Sequence, residues 1–170
     1  MPGSPRWLDD REQSVWRGFN LAVDMVRGHV EGQLQRDANM PVTYYEVLVV
    51  LSEAPDRTLR MSELAERCRS SRSRLSHAVA RLEDSGWVRR FTCDTDKRGS
   101  FATLTDGGLA AIEGAAPGHV EAVREAVFDA LTPEQVAALG EISAAIVAKL
   151  TPRCAAAIAE IDAAEAAPPR

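Results

Sequence analysis

Hydrogen-bonding and cationic side chains are concentrated in residues 71–85, with a spacing that suits DNA contacts better than catalysis. At 3.6 residues per turn, Leu75, Val79 and Leu82 share one helix face, and small, polar and cationic side chains occupy the rest. Small side chains let a helix enter the major groove, and an arginine can bind a guanine edge through two hydrogen bonds. We therefore predict DNA contacts from Ser71, Arg72, Ser73, Arg74, Ser76, His77 and Arg81.

A second cationic group lies between two short strand-like segments, residues 87–92 and 100–104. The polar, glycine-ended segment 93–99 that joins them predicts a hairpin loop. An arginine on a narrow loop suits the minor groove, where the negative potential of DNA is strongest. We predict that the loop tip contributes Asp96, Lys97 and Arg98 to the DNA contacts, with Asp96 orienting Arg98 through an ion pair.

Charge is distributed unevenly along the chain. Residues 57–98 contain eleven basic and six acidic residues, a net charge of +5, whereas the whole chain carries −5. A positive segment within an acidic protein is typical of a molecule that meets phosphate on one face only. The charge excess coincides with the two groups of predicted DNA contacts, which strengthens both predictions.

Hydrophobic periodicity predicts the elements that position these side chains. Apolar residues from Trp16 to Leu34 recur at spacings of three and four, which indicates one long helix with an apolar stripe. Thr43 and Glu46 predict a capping box at the start of the next helix, and Gly86 predicts a helix end. The predicted order is helices over residues 8–36, 43–54, 62–67 and 71–84, the hairpin, and helices over 105–131, 132–150 and 153–167.

A helix-turn-helix followed by a basic hairpin is a winged helix, and its motifs resemble those of the MarR family. Met61–Glu66, Ser71–Ser76 and Arg81–Val88 resemble the family's DNA-binding head. Asp96–Gly99, followed by Leu104–Gly108, resembles its wing and the start of its next helix, although Lys97 stands where the family often has arginine. No special role is predicted for Gly108. The resemblance covers residues 43–108 by motif and most of the chain by order of elements.

This resemblance implies a mainly α (α+β) protein, a winged helix-turn-helix with long N- and C-terminal dimerisation helices. Residues 1–40 would form the first dimerisation helix, 41–106 the DNA-binding region, and 107–170 the C-terminal dimerisation helices and tail, in one integrated domain. It implies a homodimer on a palindromic site in double-stranded DNA, with half-sites about one DNA turn apart.

The resemblance also implies a repressor that releases DNA when a small aromatic or anionic effector binds between the dimerisation region and the DNA-binding head. Aromatic and apolar positions near that junction are the candidate effector contacts, although such residues more often belong to a plain core. These candidates are Trp16, Phe19, Tyr44, Tyr45 and Leu48.

Other kinds of chemistry are poorly represented in the sequence. It contains no glycine-rich phosphate loop, nucleophile elbow or paired catalytic carboxylates, so we expect neither an enzyme nor a cofactor. His29, His77 and His119 lie on separate helices without a C-x-x-C pair, so no metal site is expected. No run of 18 apolar residues predicts a membrane span, and the first ten residues lack a signal peptide's apolar stretch, so the cytoplasm is expected.

Two alternatives keep the fold and change the function. A winged helix can serve as a protein-interaction module, although such a module does not require the +5 charge of residues 57–98. A regulator switched by cysteine oxidation is the other alternative. Cys68, at the end of an apolar helix face, is predicted to be buried, and Cys93 beside the wing is the better candidate because Arg90 or Lys97 would lower the pKa of its thiol.

Overall fold

The computed structural model describes the backbone of residues 4–93 and 96–150, and the side chains of 4–92 and 100–150. The chain divides into two compact units, Met1–Arg124 and Glu125–Arg170. The elements are α1 (Asp10–Ala38), α2 (Val42–Ser52), β1 (Thr58–Arg60), α3 (Met61–Arg67), α4 (Arg72–Asp84), β2 (Val88–Cys93), β3 (Asp96–Leu104), α5 (Asp106–Ala126) and α6 (Pro133–Leu150).

Helix α1 begins at a capping box that was not predicted from the sequence. The Asp9 carboxylate accepts a hydrogen bond from the Glu12 amide at 2.7 Å, and the Glu12 carboxylate accepts one from the Asp9 amide at 2.9 Å. The predicted apolar stripe changes its environment along the helix. Its C-terminal members Val30 and Leu34 are buried, whereas Trp16 is exposed, so only the last turns of α1 pack on the core of the first unit.

Helix α2 is the central helix of the first unit. It starts at Val42 with Pro41 as its N-cap and no side-chain cap, so the predicted Thr43–Glu46 capping box is wrong. Proline fits this end because its missing amide hydrogen would have had no partner in the helix. Core side chains from α1, α3 and α4 join those of α2 in one cluster, in which the largest fully buried members are Leu34, Met40, Val47, Leu48, Leu51, Leu64, Leu75, Val79 and Leu82. Each such side chain contributes about 1.5–3 kcal/mol of burial free energy.

The three strands of the described residues form one antiparallel sheet in the order β1-β3-β2. Strand β1 was not predicted, because its three residues are too few to show a period of two. The predicted loop 93–99 is also wrong in extent, since Cys93 ends β2 and residues 96–99 begin β3. The strands of the hairpin are therefore longer than predicted, and their register shifts between Thr92 and Cys93.

Helix α5 is joined tightly to the α4–β2 connection, and Gly108 makes this possible. The Thr105 hydroxyl donates to the Gly86 carbonyl at 2.7 Å, and the Thr105 amide donates to the Trp87 carbonyl at 3.0 Å. A Cβ on Gly108 would lie 2.2 Å from that same Trp87 oxygen. Gly108 therefore has a structural role, contrary to the sequence analysis. The helix contains Pro117 in its interior.

The second unit contains the end of α5, a 3-10 turn at Phe128–Ala130, and α6. The predicted end of α5 at Leu131 is therefore wrong. The predicted start of the next helix is confirmed, because Thr132 and Gln135 exchange hydrogen bonds of 2.9 and 3.3 Å. No residue of α6 is buried. The predicted helix 153–167 lies outside the described residues.

Candidate nucleic-acid interface

The turn between α3 and α4 is closed by backbone hydrogen bonds, and α4 starts with exposed residues at the protein surface. The Ser70 amide donates to the Ala65 carbonyl at 2.9 Å, and the Arg69 amide donates to the Glu66 carbonyl at 3.0 Å. These two bonds form a Schellman motif, in which Arg69 takes the left-handed conformation (φ 48°) that glycine usually occupies. Ser71 then caps α4 by accepting a hydrogen bond from the Arg74 amide at 3.3 Å.

Helix α4 has one buried face and one exposed polar face, as predicted. Leu75, Val79 and Leu82 are buried in the core cluster. Exposed side chains cover the other side, and they include every helical residue predicted to contact DNA: Ser71, Arg72, Ser73, Arg74, Ser76, His77 and Arg81. The helix ends in a second Schellman motif, in which Gly86 (φ 73°) donates to Glu83 at 2.8 Å and Trp87 donates to Leu82 at 2.9 Å.

The wing is attached to α4 by an ion pair. The Glu83 carboxylate accepts hydrogen bonds from Nε of Arg90 and, at 2.8 Å, from the Arg90 amide. This contact fixes strand β2 against the C-terminal half of α4. The side chains of Cys93, Asp96, Lys97 and Arg98 lie outside the described residues, so their predicted contacts, including the Asp96–Arg98 ion pair, stay predictions.

Arginine and phenylalanine side chains alternate on the outer face of the sheet. Phe91 and Phe101 are paired in the register and stacked with ring centroids 5.6 Å apart. The guanidinium of Arg60 lies 5.4 Å from the ring centroid of Phe101, and that of Arg89 lies 5.9 Å from the ring centroid of Phe91. These cation–π contacts restrict one arginine on β1 and one on β2.

A recess of about 420 Å³ separates α4 from the wing. Of the residues that line it, Arg72 and Ser76 were among the predicted DNA contacts, and five were not: Arg60, Met61, Ser62, Arg90 and Ser100. They were missed because β1 was missed, and because the sequence alone does not show which strand residues face α4. Arg60 and Arg90 contribute to the +5 charge of residues 57–98, which was the sequence signal that pointed to them.

A larger recess, of about 870 Å³, lies between α1, α2 and the start of α4 in the first unit. Among the predicted effector contacts only Tyr45 lines it, together with His119, Arg69 and Arg74. The rings of Tyr45 and His119 lie 4.4 Å apart. Burial raises the pKa of Tyr45 and lowers the pKa of His119, whose Nδ1 is buried without a hydrogen-bond partner among the described residues.

The structure does not bring the other predicted effector contacts together. Tyr44 lines a separate recess beside Arg74, His77 and Arg81. Leu48 is fully buried in the core, whereas Trp16 and Phe19 stack on each other along α1 and are 55% and 44% exposed.

Cys68 borders the larger recess and is half-buried rather than buried. Burial, with a smaller contribution from the Glu46 carboxylate, raises the pKa of the Cys68 thiol to about 11. A thiol with so high a pKa is a poor redox sensor, because the thiolate is the reactive form. Within the described ranges, no group of three or more histidine, cysteine or acidic side chains could hold a metal ion, and no helix is long and apolar enough to cross a membrane.

Comparisons with known proteins agree with this geometry. A family model described as MarR family matches residues 38–99. The structure is similar to Sco3205, a MarR family transcriptional regulator from Streptomyces coelicolor in complex with DNA, with 56% identity and a TM-score of 0.84 over 88% of this chain and 93% of that one. It is also similar to AbsC, a MarR family transcriptional regulator from the same organism, with 39% identity and a TM-score of 0.81 over 86% and 98% of the two chains.

A curated relative, the uncharacterised HTH-type transcriptional regulator YfiV of Bacillus subtilis (strain 168), is 28% identical over 136 residues, which cover 79% of this chain and 81% of the relative. The match to Sco3205 combines high identity with nearly complete coverage of that regulator, and the winged helix and polar α4 face are both present here. The chain therefore belongs to the MarR family: it is a DNA-binding transcriptional regulator with a winged-helix fold, and it is not an enzyme.

Proposed function

We propose that this protein is a cytoplasmic, ligand-responsive repressor that binds a palindromic operator in double-stranded DNA as a homodimer. The observation that carries the proposal is the division of α4 into a buried apolar face and an exposed face of serine, arginine and histidine. The complex of Sco3205 with DNA supports a DNA-binding role for the matching region of this chain.

In this proposal, α4 lies in the major groove. Ser73 and His77 are four residues apart on the outermost face, where their side chains reach base edges. Arg74 and Arg81 flank them and bind guanine edges or phosphates. At the wing, Arg98 enters the minor groove, with Lys97 beside it and Asp96 orienting it.

Exposed apolar side chains support the homodimer. In the first unit, the Trp16–Phe19 pair is exposed on one side of α1, and Leu21 and Met25 are exposed on the opposite side. In the second unit, Leu139, Ile142, Ile146 and Leu150 form an exposed stripe at spacings of three and four along α6. Exposed apolar surface of this extent is unfavourable in a monomer, and a second copy of the same chain would cover it.

The larger recess is the proposed effector site. Tyr45 and His119, whose rings lie in contact at an angle of 45°, supply aromatic surface, and Arg69 and Arg74 supply positive charge for an anionic group. Arg74 belongs to the DNA-binding face of α4 as well, so an effector that binds its guanidinium competes with DNA for the same side chain. This arrangement would couple effector binding to DNA release.

A reporter gene tests repression directly. With the operator placed over its promoter, co-expression of the protein should lower reporter output, and His77→Ala should restore output while Arg17→Ala, an exposed change on α1, should not. Unchanged or higher output with the wild-type protein would contradict repression. Sedimentation equilibrium of the protein alone tests the dimer, since a monomer at micromolar concentration would exclude this mode of operator binding.

A further inference from the structure

The outer face of the sheet carries two aromatic rings with an arginine at each end. The strand register places Arg60, Phe101 and Phe91 opposite one another on the three neighbouring strands. Arg89 precedes Phe91 by two residues on β2, so it projects from the same side of the sheet. The order across the surface is therefore arginine, phenylalanine, phenylalanine, arginine, with each guanidinium over the ring beside it. These four residues are called the Arg–Phe face below.

The Arg–Phe face is turned away from α4, because successive side chains of a strand project from opposite sides of a sheet. Arg90 lies between the two members of the face on β2, and it donates hydrogen bonds to Glu83 of α4. On β3, Ala102 follows a member of the face and is fully buried in the core. The Arg–Phe face and the DNA contacts of α4 therefore lie on different sides of the sheet, and both can be occupied at the same time.

The charges and rings of the Arg–Phe face define the chemistry of a partner. The neighbouring pair on the same side of the sheet is Thr58 and Thr103, whose hydroxyls lie 2.8 Å apart in a hydrogen bond. Among the side chains described on this side of the sheet there are thus two positive charges and no negative one. Phe91 is 38% exposed, so the rings also offer apolar surface. A complementary partner carries carboxylates on both sides of an apolar group, since a guanidinium binds a carboxylate through two parallel hydrogen bonds.

The size of the face selects the kind of partner. Strands lie about 4.8 Å apart, so a three-stranded face is only about 10 Å wide. A stable complex of two globular proteins buries about 800 Å² on each partner, which is much more than this face offers. DNA is less suitable, because its sugar–phosphate backbone has no apolar group to cover two phenylalanine rings.

We propose that the Arg–Phe face binds a short acidic segment of another protein. Two carboxylates of that segment bind Arg60 and Arg89, and an apolar side chain between them packs on Phe91 and Phe101. The cation–π contacts orient both guanidinium groups before the segment binds, which lowers the entropy lost on binding. This activity is additional to operator recognition and does not depend on it.

A series of capped peptides, in which zero to four leucines separate two pairs of aspartates, provides the probe. Acidic peptides also bind the basic face of α4, so each peptide is titrated into both the free protein and its complex with operator DNA. Nuclear magnetic resonance of the phenylalanine rings and the arginine Nε–H groups locates the binding site. We expect changes at the Arg–Phe face that persist when operator is bound, strongest for peptides that contain leucine and absent when asparagine replaces aspartate.

Two variants test the two parts of the face. Arg89→Gln removes a charge, and Phe91→Thr removes a ring but keeps a good strand former. Each should weaken peptide binding by about 10-fold or more, since hydrogen bonds to charged groups and buried apolar contacts each contribute on this scale. Arg36→Gln is the matched control, because it removes the same charge from an exposed position on α1. Circular dichroism of each variant establishes that it is folded.

Several results would overturn the inference. They are the absence of changes at the Arg–Phe face with every peptide, displacement of the peptide by operator DNA, and unchanged peptide affinity in Arg89→Gln. A lower association state of Phe91→Thr in sedimentation would mean that a second copy of this chain covers the face instead. Failure of the proposed function is distinguishable, because it appears as no binding to any duplex and leaves the peptide titration of the free protein unaffected.

Discussion

Replacement of Gly108 by alanine should destabilise the protein, although alanine is the better helix former. Gly108 lies in the first turn of α5, where its amide donates to the Thr105 hydroxyl at 3.0 Å. An added Cβ would lie 2.2 Å from the Trp87 carbonyl oxygen and 2.6 Å from a methyl carbon of Leu104. The Trp87 oxygen cannot move aside freely, because it accepts the hydrogen bond from the Thr105 amide.

The magnitude follows from two opposing effects. Overpacking of a close contact costs about 1–3 kcal/mol, and alanine in a helix interior gains up to about 1 kcal/mol over glycine. Because the contact is with backbone atoms, we expect the steric cost to exceed the gain and Gly108→Ala to lower the free energy of unfolding by about 1–2 kcal/mol. For a chain of this length, each kcal/mol changes Tm by about 2–4 °C.

Two other glycines of α5 are matched controls. A Cβ on Gly107 would have its nearest neighbours at 3.6 Å, and one on Gly114 would meet nothing within 4 Å. Gly114→Ala should therefore raise Tm, and Gly107→Ala should change it little. Thermal unfolding of all three variants at one protein concentration is the assay. A Tm for Gly108→Ala equal to or above that of the wild type would refute the inferred contact with Trp87.

Three further predictions follow from the site. In a variant whose other two cysteines are replaced by serine, Cys68 should react with iodoacetamide at pH 7.5 more than about 100-fold more slowly than a free cysteine of pKa about 8.5. Glu46→Gln should accelerate this reaction, because it removes the carboxylate that raises the pKa of the thiol. A reaction rate equal to that of a free cysteine would contradict the high pKa. Burial lowers the pKa of His119 in the folded protein. As pH falls through about 6.5, the imidazole is therefore protonated in the unfolded chain before it is protonated in the folded one. The free energy of unfolding should fall between pH 7.5 and 5.5 more steeply in the wild type than in His119→Gln, and equal slopes would refute this. Arg98→Ala should weaken operator binding and reduce the slope of log affinity against log salt by the equivalent of one phosphate contact or less. If the variant keeps the affinity and the salt slope of the wild type, Arg98 has no role at the wing tip.

The DNA-binding helix was predictable because its signals are local. Leu75, Val79 and Leu82 recur with the helical period, and Gly86 marks the end of the helix. The exposed face of α4 follows from the same periodicity once the buried face is known. The polar residue near the start of α2 was misleading, since Thr43 could have capped that helix but Pro41 is its N-cap instead.

The missed features depend on contacts between distant parts of the chain. Arg60 joins the recess because β1 pairs with β3 across more than 40 residues. Glycine is needed at position 108 because α5 starts against the Trp87 carbonyl. The residues next to Gly108 in the sequence do not indicate this contact. Trp16 and Phe19 fit the apolar stripe of α1 but lie beyond the part of that helix that packs on the core. Periodicity shows which residues share a face, and it does not show what covers that face.

The most direct test of the central claim is a DNA-selection experiment on the purified protein, with bound fragments sequenced and affinity then measured against salt. We predict enrichment of an inverted repeat with half-sites about one DNA turn apart, bound by two chains per duplex and more weakly as salt rises. Absence of enrichment, with at most feeble salt-sensitive binding, would contradict sequence-specific operator recognition and favour a winged helix that binds other proteins.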